Sequence, residues 1–197
     1  MIVADTLLVA AWLMLALDGI RLSTRERLAR RTLGPVVAGR PTPPAWARVT
    51  LAAGLVGGVL ALEQTAGRWP FDPRLALLGL ALAGAGVVLH GRARRALGEY
   101  WLPTVAVRAG HALVERGPYA VVRHPLYLGA WLLVVGTFAA HPSLATACLA
   151  TGVTIGTVLK IVREERLLRH IFGDDWSRYT RQVPAVLPRL TRGGRPR

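Results

Sequence analysis

Five apolar runs separated by arginine-rich segments constrain this chain more than any other feature. They cover residues 2–20, 49–62, 75–89, 126–140 and 144–159. A helix needs about 20 residues to cross roughly 30 Å of hydrocarbon, so the shorter runs require interfacial residues at their ends or a locally thinned bilayer. Apolar residues make up 52% of the 197, yet the formal net charge is +14. A soluble globule accommodates that combination poorly. Spans alternating with wet loops accommodate it directly.

Basic residues collect on the cytoplasmic side of a membrane protein. Segment 21–48 holds seven arginines, Arg21, Arg25, Arg27, Arg30, Arg31, Arg40 and Arg48. Segment 91–124 holds six, Arg92, Arg94, Arg95, Arg108, Arg116 and Arg123, and ten more basic residues follow from Lys160 onward. Five spans therefore put 23 of the 25 basic residues on one face and leave only Arg68 and Arg74 on the other. The expected chain is multi-pass, with its N-terminus outside and its C-terminus in the cytoplasm. Four spans would break that separation. A basic surface also suits nucleic acid, but basic residues interleaved with bilayer-length runs face anionic headgroups. Membrane lipids, and no nucleic acid, are the expected partners. Run 2–20 does not read as a cleaved signal, because no Lys or Arg precedes it and Asp5 stands in the n-region. Cys148 is the only cysteine, which excludes an intrachain disulfide or a cysteine-based zinc site. No metal is expected.

The expected fold is an all-α integral membrane domain over 1–197, with a cytoplasmic C-terminal helical segment roofing a pocket. Residues 1–90 form a three-span scaffold, 91–190 carry the site around a helical hairpin at 126–171, and 191–197 is a basic tail. Gly54, Gly57 and Gly58, and then Gly79, Ala83 and Gly86, place small residues at helical spacing so that backbones can approach closely. Segment 34–46, with Pro35, Pro41, Pro43 and Pro44, reads as an irregular cytoplasmic loop. Asp18 and Glu63 lie at span ends, where carboxylates reach water. Tyr100 and Trp101 have an interfacial belt as their default reading.

The chemistry concentrates in 111–129. Gly117-Pro118 marks a turn, and Pro125 suits the first turn of the fourth span, where its missing N–H costs nothing. Arg123 and His124 then stand at a helix N-terminus, whose unpaired N–H groups favour an anionic group. Tyr127 shares a helical face with His124. After the fifth span, Lys160 and Glu164 are one turn apart, as are Glu165 and Arg169. Glu165 reads as half of a solvated i,i+4 pair, whereas Glu164 stays on the Lys160 face close to the bilayer surface. Gly173 is expected to end that helix, and Asp175 to cap a short one carrying Trp176 and Tyr179. No glycine-rich dinucleotide loop is present.

Arg123-His124-Pro125-Leu126-Tyr127-Leu128-Gly129, the preceding Gly117-Pro118-Tyr119, the Glu164-Glu165 pair and Phe172-Gly173 followed by aromatics resemble the isoprenylcysteine carboxyl methyltransferases and related membrane phospholipid methyltransferases. The resemblance covers about residues 98 to 188. It implies methyl transfer from S-adenosylmethionine to a lipophilic or prenylated substrate. By that resemblance His111, Ala112, Leu113, Val114, Tyr119, His124, Pro125, Leu126, Tyr127 and Glu164 contact the cofactor, and His124 and Glu164 are the candidate catalytic residues. Lys160 stands where the eukaryotic enzymes have an arginine that meets the substrate, and Arg163 is a second candidate for that contact. Lysine keeps the charge without the bidentate fork. Trp176 stands where the family often has tyrosine.

The leading acceptor is the carboxylate of an isoprenylcysteine-like molecule. A carboxylate is already ionised at neutral pH, so alignment and exclusion of water supply the rate without a general base. A phospholipid or other lipid amine must first lose a proton, which needs a base such as His124 or Glu164. An NADPH-dependent membrane reductase and a non-catalytic scaffold are further alternatives.

Overall fold

The computed structural model describes residues 8, 10–12, 36–39, 70, 72–102 and 106–188. Apart from helical residues 8 and 10–12, the spans expected at 2–20 and 49–62 lie outside the described residues, as does the tail at 191–197. Three helices dominate: α1 (Pro73–Leu97), α2 (Pro125–Ala140) and α3 (Leu144–Gln182). Of these, α1 and α3 are long and apolar enough to cross a membrane, and α2 is a shorter apolar helix.

Each helix starts where the local sequence dictates. The Asp72 side chain accepts from the backbone N–H groups of Arg74 at 2.8 Å and Leu75 at 3.4 Å, and Pro73 fills the first helical position. Pro125 does the same for α2, after His124 as N-cap. Ser143 opens α3 with a reciprocal capping box to Thr146. At 25 residues, α1 runs to about 37 Å. It therefore outlasts its apolar run and carries Arg92, Arg94 and Arg95 beyond it.

Glycine brings α1 and α2 together. A Cβ on Gly136 would sit 2.5 Å from the Gly79 carbonyl oxygen, and one on Gly86 would sit 2.5 Å from that of Gly129. Only hydrogen at these positions allows such contact, and backbone-to-backbone packing takes over the role that apolar burial has in water. Leu8, Ala83, Leu133 and Ala140 fill the adjoining core, where the Trp12 indole N–H donates to the Thr137 hydroxyl at 3.2 Å.

Three expectations change. The fold is mostly helical rather than all-α, because β1 (Val36–Gly39) pairs antiparallel with β2 (Ala106–Arg108). Segment 34–46 is thus not irregular throughout: its short apolar stretch between prolines finds a partner strand 70 residues away, which no local pattern discloses. Gly173 breaks α3 at φ 51° and ψ −115°, a conformation that suits glycine, and the short helix expected after it follows and runs to Gln182. Asp175 lies inside that resumed stretch, 3.1 Å from Arg178 one turn on, instead of capping it.

Gly136→Val should lower the unfolding free energy in detergent by about 1–3 kcal/mol or more through overpacking. Gly152→Val, at an exposed site where a Cβ meets nothing within 4 Å among the described residues, should leave the thermal midpoint nearly unchanged. Paired thermal melts check both outcomes.

Candidate active site

The two adjacent glutamates of α3 have different surroundings. Glu165 does not join Arg169 on a solvated face as expected. Its Oε1 accepts from Arg123 Nη2 at 2.6 Å, from Arg123 Nε at 3.1 Å and from His124 Nε2 at 3.1 Å. The cause is Arg123, whose side chain keeps only 11% exposure. A guanidinium out of water needs a counter-charge and acceptors for its N–H fork. Arg123 Nη1 finds two further acceptors in the carbonyls of Thr180 at 3.2 Å and Val183 at 2.7 Å. The hydrogen bond from His124, reinforced by Arg123, lowers the Glu165 carboxyl to about 2 against the opposing effect of burial.

The same cluster sets the C-terminal segment over the site. Backbone N–H groups of Arg123 and His124 donate to the carbonyls of Pro184 and Ala185, both at 2.9 Å. The Tyr179 hydroxyl donates to the Tyr119 carbonyl at 2.6 Å. Trp176, Tyr179 and Val183 form a small core with Leu113, Leu168 and Phe172. Burial raises the Tyr119 and Tyr179 hydroxyls above the ordinary tyrosine range, so both stay protonated.

Beneath this segment lies a cavity of about 560 Å³, within the range of small-molecule sites. His111, Leu113, Val114, Tyr119, His124, Leu126, Tyr127, Lys160 and Glu164 all line it. Ala112, Pro125 and Arg163 do not: Ala112 and Arg163 point to the exposed surface and Pro125 is buried in the α2 N-terminus. Lys160 Nζ stands 5.9 Å from the centroid of the Tyr127 ring.

Three buried polar atoms on the lining residues have no hydrogen-bond partner among the described residues, namely Glu164 Oε2, His111 Nδ1 and Trp176 Nε1. An unpaired buried polar atom costs about 1–3 kcal/mol, so such a cluster around a cavity marks where a polar ligand fits. His111 is stacked on Tyr100 with centroids 4.7 Å apart and an interplanar angle of 7°, and it meets Phe172 edge-on at 5.9 Å. Burial lowers its imidazole to about 4, leaving it neutral at physiological pH.

Several lining residues carried no sequence signal for this role. Tyr100 and Trp101, whose default reading is an interfacial belt, border the cavity, and Arg94 lies 3.7 Å over the Trp101 ring. His90 also lines the cavity, its Nδ1 lying 3.2 Å from the Leu126 carbonyl. A helical bundle that buries a histidine, two tyrosines and a carboxylate around one cavity has the makings of an enzyme site.

A protein-family model described as phospholipid methyltransferase matches residues 75–175, more than half of the chain. The chain belongs to that family. A cobalt-zinc-cadmium resistance protein of Cupriavidus metallidurans is 35% identical over 58% of this chain and 50% of its own length. A protein-S-isoprenylcysteine O-methyltransferase of Schizosaccharomyces pombe is 31% identical over 47% of this chain and 45% of its own. The chain thus spans about half the length of these curated relatives. Among solved structures, the eukaryotic intramembrane Ras methyltransferase, isoprenylcysteine carboxyl methyltransferase, shares the fold. Its TM-score is 0.55 at 23% identity, covering 74% of this chain and 53% of that one. Among the described residues, no group of three or more His, Cys, Asp or Glu could hold a metal ion.

Glu165→Gln should destabilise the protein at pH 7 by on the order of 2–3 kcal/mol, below the roughly 3–5 of a fully buried broken pair, because Glu165 keeps 24% exposure. The folded pKa is depressed from 4.5 to about 2, so this stability is complete above the unfolded value and fades as pH falls toward the folded one. Unfolding of wild type and variant between pH 7 and pH 3 should converge only below about 4.5.

Proposed function

We propose that this chain transfers a methyl group from S-adenosylmethionine to a lipophilic acceptor, with the carboxylate of an isoprenylcysteine-like molecule as the leading candidate. The observation that carries the reading is the pairing within one cavity of a carboxylate with an unpartnered buried oxygen, Glu164, and a cation one helical turn before it, Lys160. The cofactor fits the unpartnered atoms by chemistry. Its ammonium and ribose hydroxyls are donors for Glu164 Oε2, and its adenine amino group is a donor for neutral His111 Nδ1. Leu113, Val114, Tyr119, Leu126 and Tyr127 supply the apolar walls around these groups.

When bound, S-adenosylmethionine supplies a methyl group already activated on a sulfonium. The protein then has to align the acceptor and keep water out. In this reading Glu164 anchors the cofactor, Lys160 draws in an anionic acceptor, and the segment stitched to Arg123 and His124 closes the site from above. His124 serves as a positioning group. Its Nε2 donates to an ionised Glu165, an arrangement suited to an acceptor that needs no proton removed. We place the site on the cytoplasmic face of a five-span chain, a reading supported by the arginine asymmetry and by the length of α1 and α3.

Calorimetry in detergent should detect binding of S-adenosylhomocysteine, and Glu164→Gln should weaken it about ten- to a hundredfold, the worth of a hydrogen bond to a charged group. Turnover of a carboxylate acceptor should be nearly flat from pH 6 to 8, whereas an amine acceptor would give rates rising with pH. Absence of binding would overturn the methyl-transfer reading.

A further inference from the structure

One of the unpartnered atoms in the cavity differs in kind from the other two. Glu164 Oε2 and His111 Nδ1 can each accept a hydrogen bond, whereas the Trp176 indole Nε1 can only donate one. Trp176 is 2% exposed, so its N–H has no route to water. A buried donor without an acceptor is costly, and among the described residues none accepts from it. An acceptor for it therefore has to enter the cavity that Trp176 lines.

The surroundings decide what kind of acceptor fits. Arg123, whose guanidinium lies 5.9 Å from the centre of the Trp176 ring, is spent on Glu165 and on the carbonyls of Thr180 and Val183. The Tyr179 ring stands 5.6 Å from that of Trp176, and its hydroxyl is spent on the Tyr119 carbonyl. Leu113, Leu168 and Phe172, packed against the same small core, are apolar. A carboxylate would need several donors to leave water for such a place. One donor among apolar walls suits one lone pair on a neutral, flat group.

His111 supplies the complementary half. Its ring meets Phe172 edge-on at 5.9 Å, and Phe172 packs on the Trp176 core. Nδ1 of His111 and Nε1 of Trp176 thus serve the same end of the cavity. Burial keeps the imidazole neutral, and a neutral imidazole has one bare, accepting nitrogen. Adenine carries an amino donor with an accepting ring nitrogen, N1 or N7, on either side of it. Either edge is the complement of a His acceptor beside a Trp donor.

We propose that Trp176 is a cofactor-specificity residue, its indole N–H donating to the adenine ring nitrogen next to the amino group taken by His111. The inference takes its ligand from the methyl-transfer reading. Tyrosine, which the family often has at this place, can turn its hydroxyl to donate or to accept. Tryptophan fixes the polarity, so this site rejects a base with no acceptor there.

The test is calorimetry in detergent with S-adenosylhomocysteine and its 1-deaza and 7-deaza analogues. It uses wild type and Trp176→Phe, which keeps an aromatic ring and loses the N–H. One of the two analogues should bind wild type about tenfold more weakly than the parent, because it strands a buried donor. Trp176→Phe should bind the parent about tenfold more weakly and should no longer distinguish it from that analogue. If Trp176 only packs, the variant will lose affinity for all three ligands by one factor and keep the analogue's deficit, which overturns the proposal. Wild type that binds both analogues as tightly as the parent overturns it too, whatever the variant's fold. Wild type that shows the analogue dependence but methylates no lipid acceptor would sink the methyl-transfer reading and leave the adenine contact standing.

Discussion

Arg123 brings a permanent charge into a place where water barely reaches, and the rest of the site is arranged around satisfying it. Its N–H fork is taken up by one carboxylate from the middle of α3 and by two backbone carbonyls at that helix's C-terminal end. Those partners come from parts of the sequence 42 to 60 residues away. A buried charge is costly when left unpaired, so the guanidinium dictates where α3 and the segment after it must lie. The backbone pairs from Arg123 and His124 to Pro184 and Ala185 add a second set of bonds in the same direction. Without them the cavity would have walls but no cover.

That constraint gives the Glu164-Glu165 pair its division of labour. Successive residues on a helix point about 100° apart, so one carboxylate turns toward Arg123 and His124 while the other turns into the cavity. Glu165 is saturated and ionised, with its carboxyl held near 2. Glu164 keeps an oxygen free and buried. One carboxylate is committed to the fold, and its neighbour keeps an oxygen turned into the cavity.

The features legible in the sequence were those with local causes. Proline at the first turn of α2, the extension of α1 beyond its apolar run, the small residues between α1 and α2 and the break at Gly173 all follow from patterns within a few residues. Clustering of His111, Tyr119, His124, Tyr127, Lys160 and Glu164 also emerged, through their place in an ordered motif set. What stayed hidden depends on distant partners. Glu165 looked like half of a solvated pair because Arg169 is four residues away and Arg123 is 42. Val36 and Val37 looked like loop because their partner strand begins at Ala106. Tyr100 looked like a belt residue until His111 stacked on it. Arg163 shares a helix with Lys160 but projects from a different face, out to the exposed surface.

The central claim is that Glu164 Oε2 is the unpartnered carboxylate oxygen facing the cavity and that Glu165 is the carboxylate committed to Arg123 and His124. A structure of the protein with S-adenosylhomocysteine bound would test it most directly. The account predicts a donor of the ligand within hydrogen-bonding distance of Glu164 Oε2, with Glu165 still on Arg123 and His124. A ligand that binds away from Glu164, or one that draws Glu165 off Arg123, would contradict it.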